Sequence, residues 1–193
     1  HRDLHSFPTR RSSDLPSALP QEMIDDAINV MKQGIHALGI TIGAAKGDIK
    51  VTKNGAMIGE LAARLSGGFM SAYTYPLSSG VDLMKAAIEV ALGQEPGNLE
   101  AVFNRFGIER AVICKPGIVK NISGLEDALK VPGIEGIFLN IKEGDLVVMP
   151  RSNVEKSGNI IASGTTLEEA EKAISECFEL LKIETTEIGR AHV

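Results

Sequence analysis

KGDIKVTKNGAMIGELAARLSGG, residues 46–68, decides how the rest of the chain is read. Two runs of alternating polar and apolar residues flank Lys53-Asn54-Gly55, which is the pattern of a β-hairpin with one buried face. A two-residue Asn54-Gly55 loop would put Asp48, Lys50 and Thr52 on the face of Met57 and Leu61, mixing charge with apolar side chains. A three-residue loop with Gly55 in the left-handed conformation pairs Thr52 with Ala56 and Asp48 with Glu60 instead. Ile49, Val51, Met57 and Leu61 then share one side, and Lys46, Asp48, Lys50, Glu60 and Arg64 share the other, with Ile58 as the exception.

Two carboxylates set opposite each other repel unless a cation lies between them, so this register predicts a metal at Asp48 and Glu60. Hard oxygen ligands without thiol or imidazole point to magnesium or manganese. Magnesium takes one or two carboxylates and completes its shell with water and phosphate oxygens, which implies a nucleotide. The simpler alternative is a solvated hairpin whose acids pair with Lys46 or Lys50. Arg64, four residues beyond Glu60, suits a phosphate, and Ser66-Gly67-Gly68 lets backbone amides approach an anion.

Asp48, Glu60, Arg64 and the glycines that follow resemble the metal-binding strand pair of the ATP-grasp ligases, the superfamily of biotin carboxylase, carbamoyl-phosphate synthetase and the L-amino-acid ligases. That family carries Glu-x-Asn-x-Arg on the second strand and an earlier acid about a dozen positions upstream. The chain departs from it at Ala62, where asparagine is expected, and at Asp48, where glutamate is commoner. The resemblance implies that Asp48 and Glu60 hold the magnesium (or manganese) that bridges ATP phosphates. It makes Arg64 a catalytic contact to the transferred phosphoryl group or acyl phosphate, and Lys50, Glu60, Arg64, Ser66, Gly67 and Gly68 the cofactor-binding residues. Loss of the asparagine removes a neutral oxygen from a second metal site.

Residues 1–15, HRDLHSFPTRRSSDL, and 187–193, EIGRAHV, read as foreign, being compatible in back-translation with sequencing adaptors, and are set aside from the fold. Disordered termini, or a transit peptide lacking its apolar stripe, are the alternatives. Residues 16–186 then form a piece of a longer chain with a formal net charge of −6, which disfavours nucleic acid. Three of the four histidines fall in the two ends, so residues 16–186 hold only His36 and no histidine-based triad or zinc site. His36, near a helix end, suits a capping or half-buried role rather than a catalytic one. Cys114 and Cys177 are too far apart for a metal motif and suit buried thiols in a reducing cytoplasm. No run reaches the roughly twenty apolar residues that cross a bilayer.

Around the hairpin the spacing predicts a packing helix over residues 20–38 through Ile24, Ile28, Met31 and Ile35, and a short strand over 39–45. It leaves 69–80, with Tyr73 and Tyr75, as a binding loop or lid, and predicts an amphipathic helix over 81–92. Residues 98–106 read as a short helix or turn. The expected domains are the C-terminal half of an ATP-grasp domain over 16–106 and a small α+β domain over 107–186. The small domain reads strand, helix, three strands and a helix capped by Thr166 and Glu169. Its phrase IASGTTLEEAEKA resembles the domain that follows the grasp in amino-acid-ligase-like members. It holds no catalytic constellation and would wall the substrate site or make a subunit contact in a homo-oligomer.

The fold class expected is thus α+β, an antiparallel ATP-grasp sheet with helices followed by a small α+β domain. The function expected is ATP-dependent carboxylate–amine ligation through an acyl phosphate, with ATP and small carboxylate and amine substrates as partners. A bicarbonate-activating, biotin-carboxylase-like enzyme and a non-catalytic nucleotide-binding scaffold are the rivals. The nucleotide-gripping lysines lie upstream in the family, so the isolated piece is expected to be inactive.

Overall fold

The computed structural model describes residues 12–186. In chain order the elements are β1 (Ser12–Leu15), α1 (Gln21–Ala37), β2 (Lys46–Thr52), β3 (Gly55–Ala62), α2 (Tyr75–Ser79), α3 (Leu83–Ala91), β4 (Phe106–Val112), β5 (Gly117–Ser123), α4 (Leu125–Ala128), β6 (Ile134–Leu139), β7 (Leu146–Val147), β8 (Gly158–Gly164), α5 (Leu167–Leu180) and β9 (Lys182–Thr186). All strand pairs among the described residues are antiparallel, so the class is α+β as expected. Residues 16–104 form one unit, and residues from 105 onward, joined by β1, form the other.

In the unit spanning 16–104, α1 lies against the β2–β3 hairpin. A Cβ on Gly34 would stand 2.6 Å from the Ile58 Cδ1 and 2.7 Å from that of Leu61, so the missing side chain is what lets the helix come this close. Met31 covers Gly47 in the same way, and Asp26 accepts a hydrogen bond of 2.6 Å from the Ala56 amide. Ile28, placed on the packing stripe by its spacing, is instead 45% exposed. The strand expected over 39–45 does not form: Gly39 and Gly43 adopt φ of 66° and 104°, which break an extended run.

Residues 69–80 differ most from expectation. They are helical rather than a loop: a π-turn, Met70–Thr74, runs into α2, which ends at Gly80 with φ 78°. Buried hydroxyls bond within it, with Ser78 and Ser79 both donating to the Tyr75 carbonyl. Alternation was absent because small hydroxyl residues, rather than aliphatic ones, face inward here. The helix expected over 81–92 forms as α3, capped by Asp82, whose carboxylate accepts from the Lys85 amide. No helix forms over 98–106; instead Val102 donates a 2.8 Å hydrogen bond to the Ser79 carbonyl.

The other unit contains the principal core. Ile108, Val112, Ile160 and Ala162 from the four-stranded sheet β1-β4-β8-β6 pack on Ala170, Ala173, Ile174 and Cys177 of α5. The cap at its start is as expected: Thr166 accepts from the Glu169 amide at 3.2 Å, and Glu169 in turn accepts from the Thr165 amide at 2.8 Å. Hydrogen bonds from Thr165 hold the Glu169 carboxyl below the ordinary carboxylate range. A second sheet, β7-β5-β9, contains two strands that the sequence reading did not include, β5 and β9. β5 escapes because the pairing shifts between Val119 and Asn121, breaking its alternation.

Ser12–Leu15, set aside with the leader, is the edge strand of the first sheet, paired with Gly107–Arg110. The backbone groups of β4 would otherwise be unpaired, and any extended segment can satisfy them. Arg110 adds ion pairs to Asp14 and, at 3.2 Å, to Glu171. The remaining leader residues and 187–193 lie outside the described residues.

Burial raises the Cys177 thiol from 9.0 to about 11. The unfolded thiol therefore ionises first as pH rises, and the native state binds the extra proton between those values. Stability is expected to fall by about 2 kcal/mol between pH 9 and 11. Chemical denaturation of Cys177→Ala, which is also less stable at neutral pH, should lack that alkaline slope.

Candidate functional site: an acidic pair across a hairpin

The hairpin reaches the expected Asp48–Glu60 pairing by an unexpected route. Near the turn it is one residue tighter than expected, with Thr52 opposite Gly55, Val51 opposite Ala56 and Lys50 opposite Met57. Gly55 has the positive φ the sequence demands, 103°, and Thr52 closes the turn by donating to the Gly55 carbonyl at 2.9 Å. The register then shifts, so that Ile49 faces Ile58 while Asp48 faces Glu60, leaving Gly59 as a bulge.

This shift corrects the facial assignment. Ile58, the exception in the sequence, is half-buried beneath α1, and Met57, expected on the buried side, is opposite Lys50 and 60% exposed. One face is now consistently apolar, with Ile49, Val51, Ile58 and Leu61. The other carries Lys46, Asp48, Lys50, Met57, Glu60 and Ala62.

A cation does lie between the two carboxylates, and it is Lys46. Its Nζ donates to Asp48 Oδ2 at 2.8 Å and to Glu60 Oε1 at 3.0 Å. The Asp48 hydrogen bond, opposed by partial burial and reinforced by Glu60, holds the Lys46 ammonium above its ordinary range. The lysine side chain is 13% exposed, against 43% for Asp48 and 56% for Glu60. Solvent therefore reaches the carboxylates more readily than their counter-ion.

Arg64 lies beyond the end of β3, with Nη2 3.8 Å from Glu60 Oε1 and Nη1 donating to its neighbour's carbonyl at Leu65. Ser66, Gly67 and Gly68 follow. Nothing stands within 4 Å of the position a Cβ would take at Gly67, and Gly68 and Phe69 take successive left-handed conformations, each with φ 63°. That backbone leads into the π-turn, where the Phe69 and Tyr73 rings meet at 5.6 Å. Left-handed Phe69 and the bulge at Gly59 had no clear signal in the sequence; among the described residues Phe69 is the only non-glycine with positive φ. Asp48, Glu60, Lys46 and Arg64 are thus linked by contacts, while Lys50 shares their face. His36 is exposed in the last turn of α1.

The donor set fits a hard divalent ion: two adjacent, accessible carboxylates with no sulfur or imidazole beside them. Among the described residues no group of three or more histidine, cysteine or acidic side chains gathers for a metal, so water or phosphate oxygens would complete a shell at this pair. The unit from 105 onward has a buried ion pair, Lys156 to Glu109 at 3.8 Å, and a cavity of about 530 Å³ lined by Cys114, Lys115, Lys120, Phe178, Ile183 and Glu184 among others. Asn159, with its amide turned to satisfy both ends, donates to Glu109 at 2.8 Å, so this pair is fixed within the sheet.

Residues 110–186 match the family described as L-amino acid ligase C-terminal domain 2. Phosphoribosylglycinamide synthetase from Anaerococcus prevotii has a similar structure, with TM-score 0.81 and 20% identity over 91% of this chain and 45% of that one. L-amino acid ligase from Bacillus licheniformis superposes with TM-score 0.78 and 22% identity over 91% of this chain and 44% of its own. An uncharacterized protein, y4rH, from Sinorhizobium fredii (strain NBRC 101917 / NGR234) is 25% identical over 170 residues, 88% of this chain and 35% of that protein. The chain shares its fold with these two enzymes and spans less than half the length of these relatives. No described helix is long and apolar enough to cross a membrane.

The corrected facial assignment has a direct test. Met57→Glu should change stability by no more than about 0.5 kcal/mol, whereas Ile58→Glu should cost about 2 kcal/mol in urea denaturation. A larger cost at Met57 than at Ile58 would restore the register first expected.

Proposed function

We propose that this chain supplies the metal and phosphate end of the ATP site in an ATP-dependent carboxylate–amine ligase. The reading rests on the register that sets Asp48 opposite Glu60 on the hairpin face turned away from α1. Support comes from the ligase fold and from the match of residues 110–186 to the L-amino acid ligase domain.

In this reading Asp48 and Glu60 hold magnesium or manganese, which when bound neutralises charge on the ATP phosphate oxygens. The residues of the chain then have separable tasks. Arg64, exposed beyond the strand end and 3.8 Å from Glu60, places its guanidinium against the transferred phosphoryl group and the acyl phosphate that a carboxylate substrate becomes. The amides of Ser66, Gly67 and Gly68 steady the same anion, and Lys50 adds positive charge on the shared face. An amine then attacks the acyl carbon and phosphate leaves. The unit from 105 onward joins subunits of a homo-oligomer, and the whole enzyme works in the cytoplasm.

A non-catalytic nucleotide-binding scaffold is the second reading, favoured by Ala62 standing where a ligating asparagine is expected. In the whole ligase, supplied with mixed amino acids, Glu60→Gln and Arg64→Ala should each lower amino-acid-dependent phosphate release by about a hundredfold or more. The 193-residue chain alone should release none. Unchanged turnover in Glu60→Gln removes the metal role, and absence of turnover in the wild-type ligase favours the scaffold.

A further inference from the structure

We propose that Lys46 is the resident counter-cation of the acidic pair and competes with the divalent ion for it. The inference rests on the reading of Asp48 and Glu60 as metal ligands. The ammonium does not merely neighbour one acid; it bonds one oxygen of each, at 2.8 and 3.0 Å, from a stem carried on the same strand as Asp48. A divalent ion needs those carboxylates at about 2.1 Å, closer than any ammonium sits. Two cations cannot share the pair at such distances without strong repulsion, so the ion enters as the ammonium leaves.

Lys46 therefore has opposite effects in the two states. Without an ion it cancels the repulsion between facing carboxylates and keeps both on one face, ready for use. With an ion arriving alone it is a competitor, and the apparent affinity is the intrinsic one multiplied by the fraction of sites from which the ammonium has withdrawn. An ion arriving with nucleotide phosphates gives the displaced ammonium a new anionic partner, so the competition is relieved. The site is thereby biased toward the metal–nucleotide complex and against the bare ion. The exposure pattern agrees, because the carboxylates are open to solvent while the lysine stem is covered.

Manganese alone is the probe, with the free ion counted by electron paramagnetic resonance on the 193-residue chain. Lys46→Met should bind it about tenfold or more tightly than wild type, and Lys46→Arg, which keeps the charge, should not. Lys46→Gln, checked for native circular dichroism, guards against misfolding of the more apolar variant and should follow Lys46→Met. Adding Glu60→Gln to Lys46→Met should abolish the gain. If both neutral variants bind as wild type does or more weakly, with the binding still dependent on Glu60, Lys46 is no competitor and only this inference fails. If neither wild type nor variant shows Glu60-dependent binding, the metal reading fails with it.

Discussion

The hairpin is organised by a problem in electrostatics: two carboxylates, Asp48 and Glu60, directly opposite on adjacent antiparallel strands. Left alone they would push the strands apart or turn one side chain away. The Lys46 ammonium between them converts a repulsion into two charge-assisted hydrogen bonds. With both partners about half exposed, this arrangement adds little to global stability, since solvent screens it. Its importance is positional. It keeps two hard-oxygen donors on one face, beside Arg64 and the glycine-rich segment, where separately solvated acids would wander.

The packing beneath explains how so polar a face is held. Gly34 and Gly47 give up side chains so that α1 can lie close over Ile58 and Leu61, and Asp26 pins the helix to the Ala56 amide. The bulge at Gly59 reconciles two demands that a regular ladder cannot meet together. It allows a tight turn at Lys53-Asn54 and also a facing acidic pair further along. Gly59 does not have a positive φ, and a Cβ there would only touch the Asp48 carbonyl at 3.4 Å, so the bulge does not depend on glycine. The unit from 105 onward has a different foundation, a conventional layer of helix on sheet in which Ile108, Ile160 and Ala162 are fully buried.

Much of this was legible in the residues. Alternation across Lys53-Asn54-Gly55 located the hairpin, the charges selected the Asp48–Glu60 pairing, and Thr166 and Glu169 marked a real helix start. What escaped did so for physical reasons. A bulge is a local departure from the period of two on which alternation depends, so it hid the exchange of Met57 and Ile58 and broke up β5. Residues 69–80 bury Ser71, Thr74, Ser78 and Ser79 in place of aliphatic side chains, and the hydroxyls of the last three bond within the segment, which leaves no hydrophobic stripe to detect. The edge strand Ser12–Leu15 is held mainly by backbone pairing, which composition cannot reveal. Arg64 was placed on a strand face by counting, although β3 ends two residues earlier.

The departure at Ala62 and the position of Lys46 make better sense together than apart. The two residues are direct cross-strand partners on the face of the acidic pair. Neighbours so placed bring their Cβ atoms within about 5.5 Å, and the side chain at 62 therefore decides where the lysine stem can run. A methyl group occupies little of that space and offers no oxygen, so the ammonium has no local acceptor and turns toward Asp48 and Glu60. A carboxamide at 62 would crowd the stem and accept a hydrogen bond from it, drawing the ammonium off the carboxylates. Alanine at 62 thus leaves room for the lysine bridge.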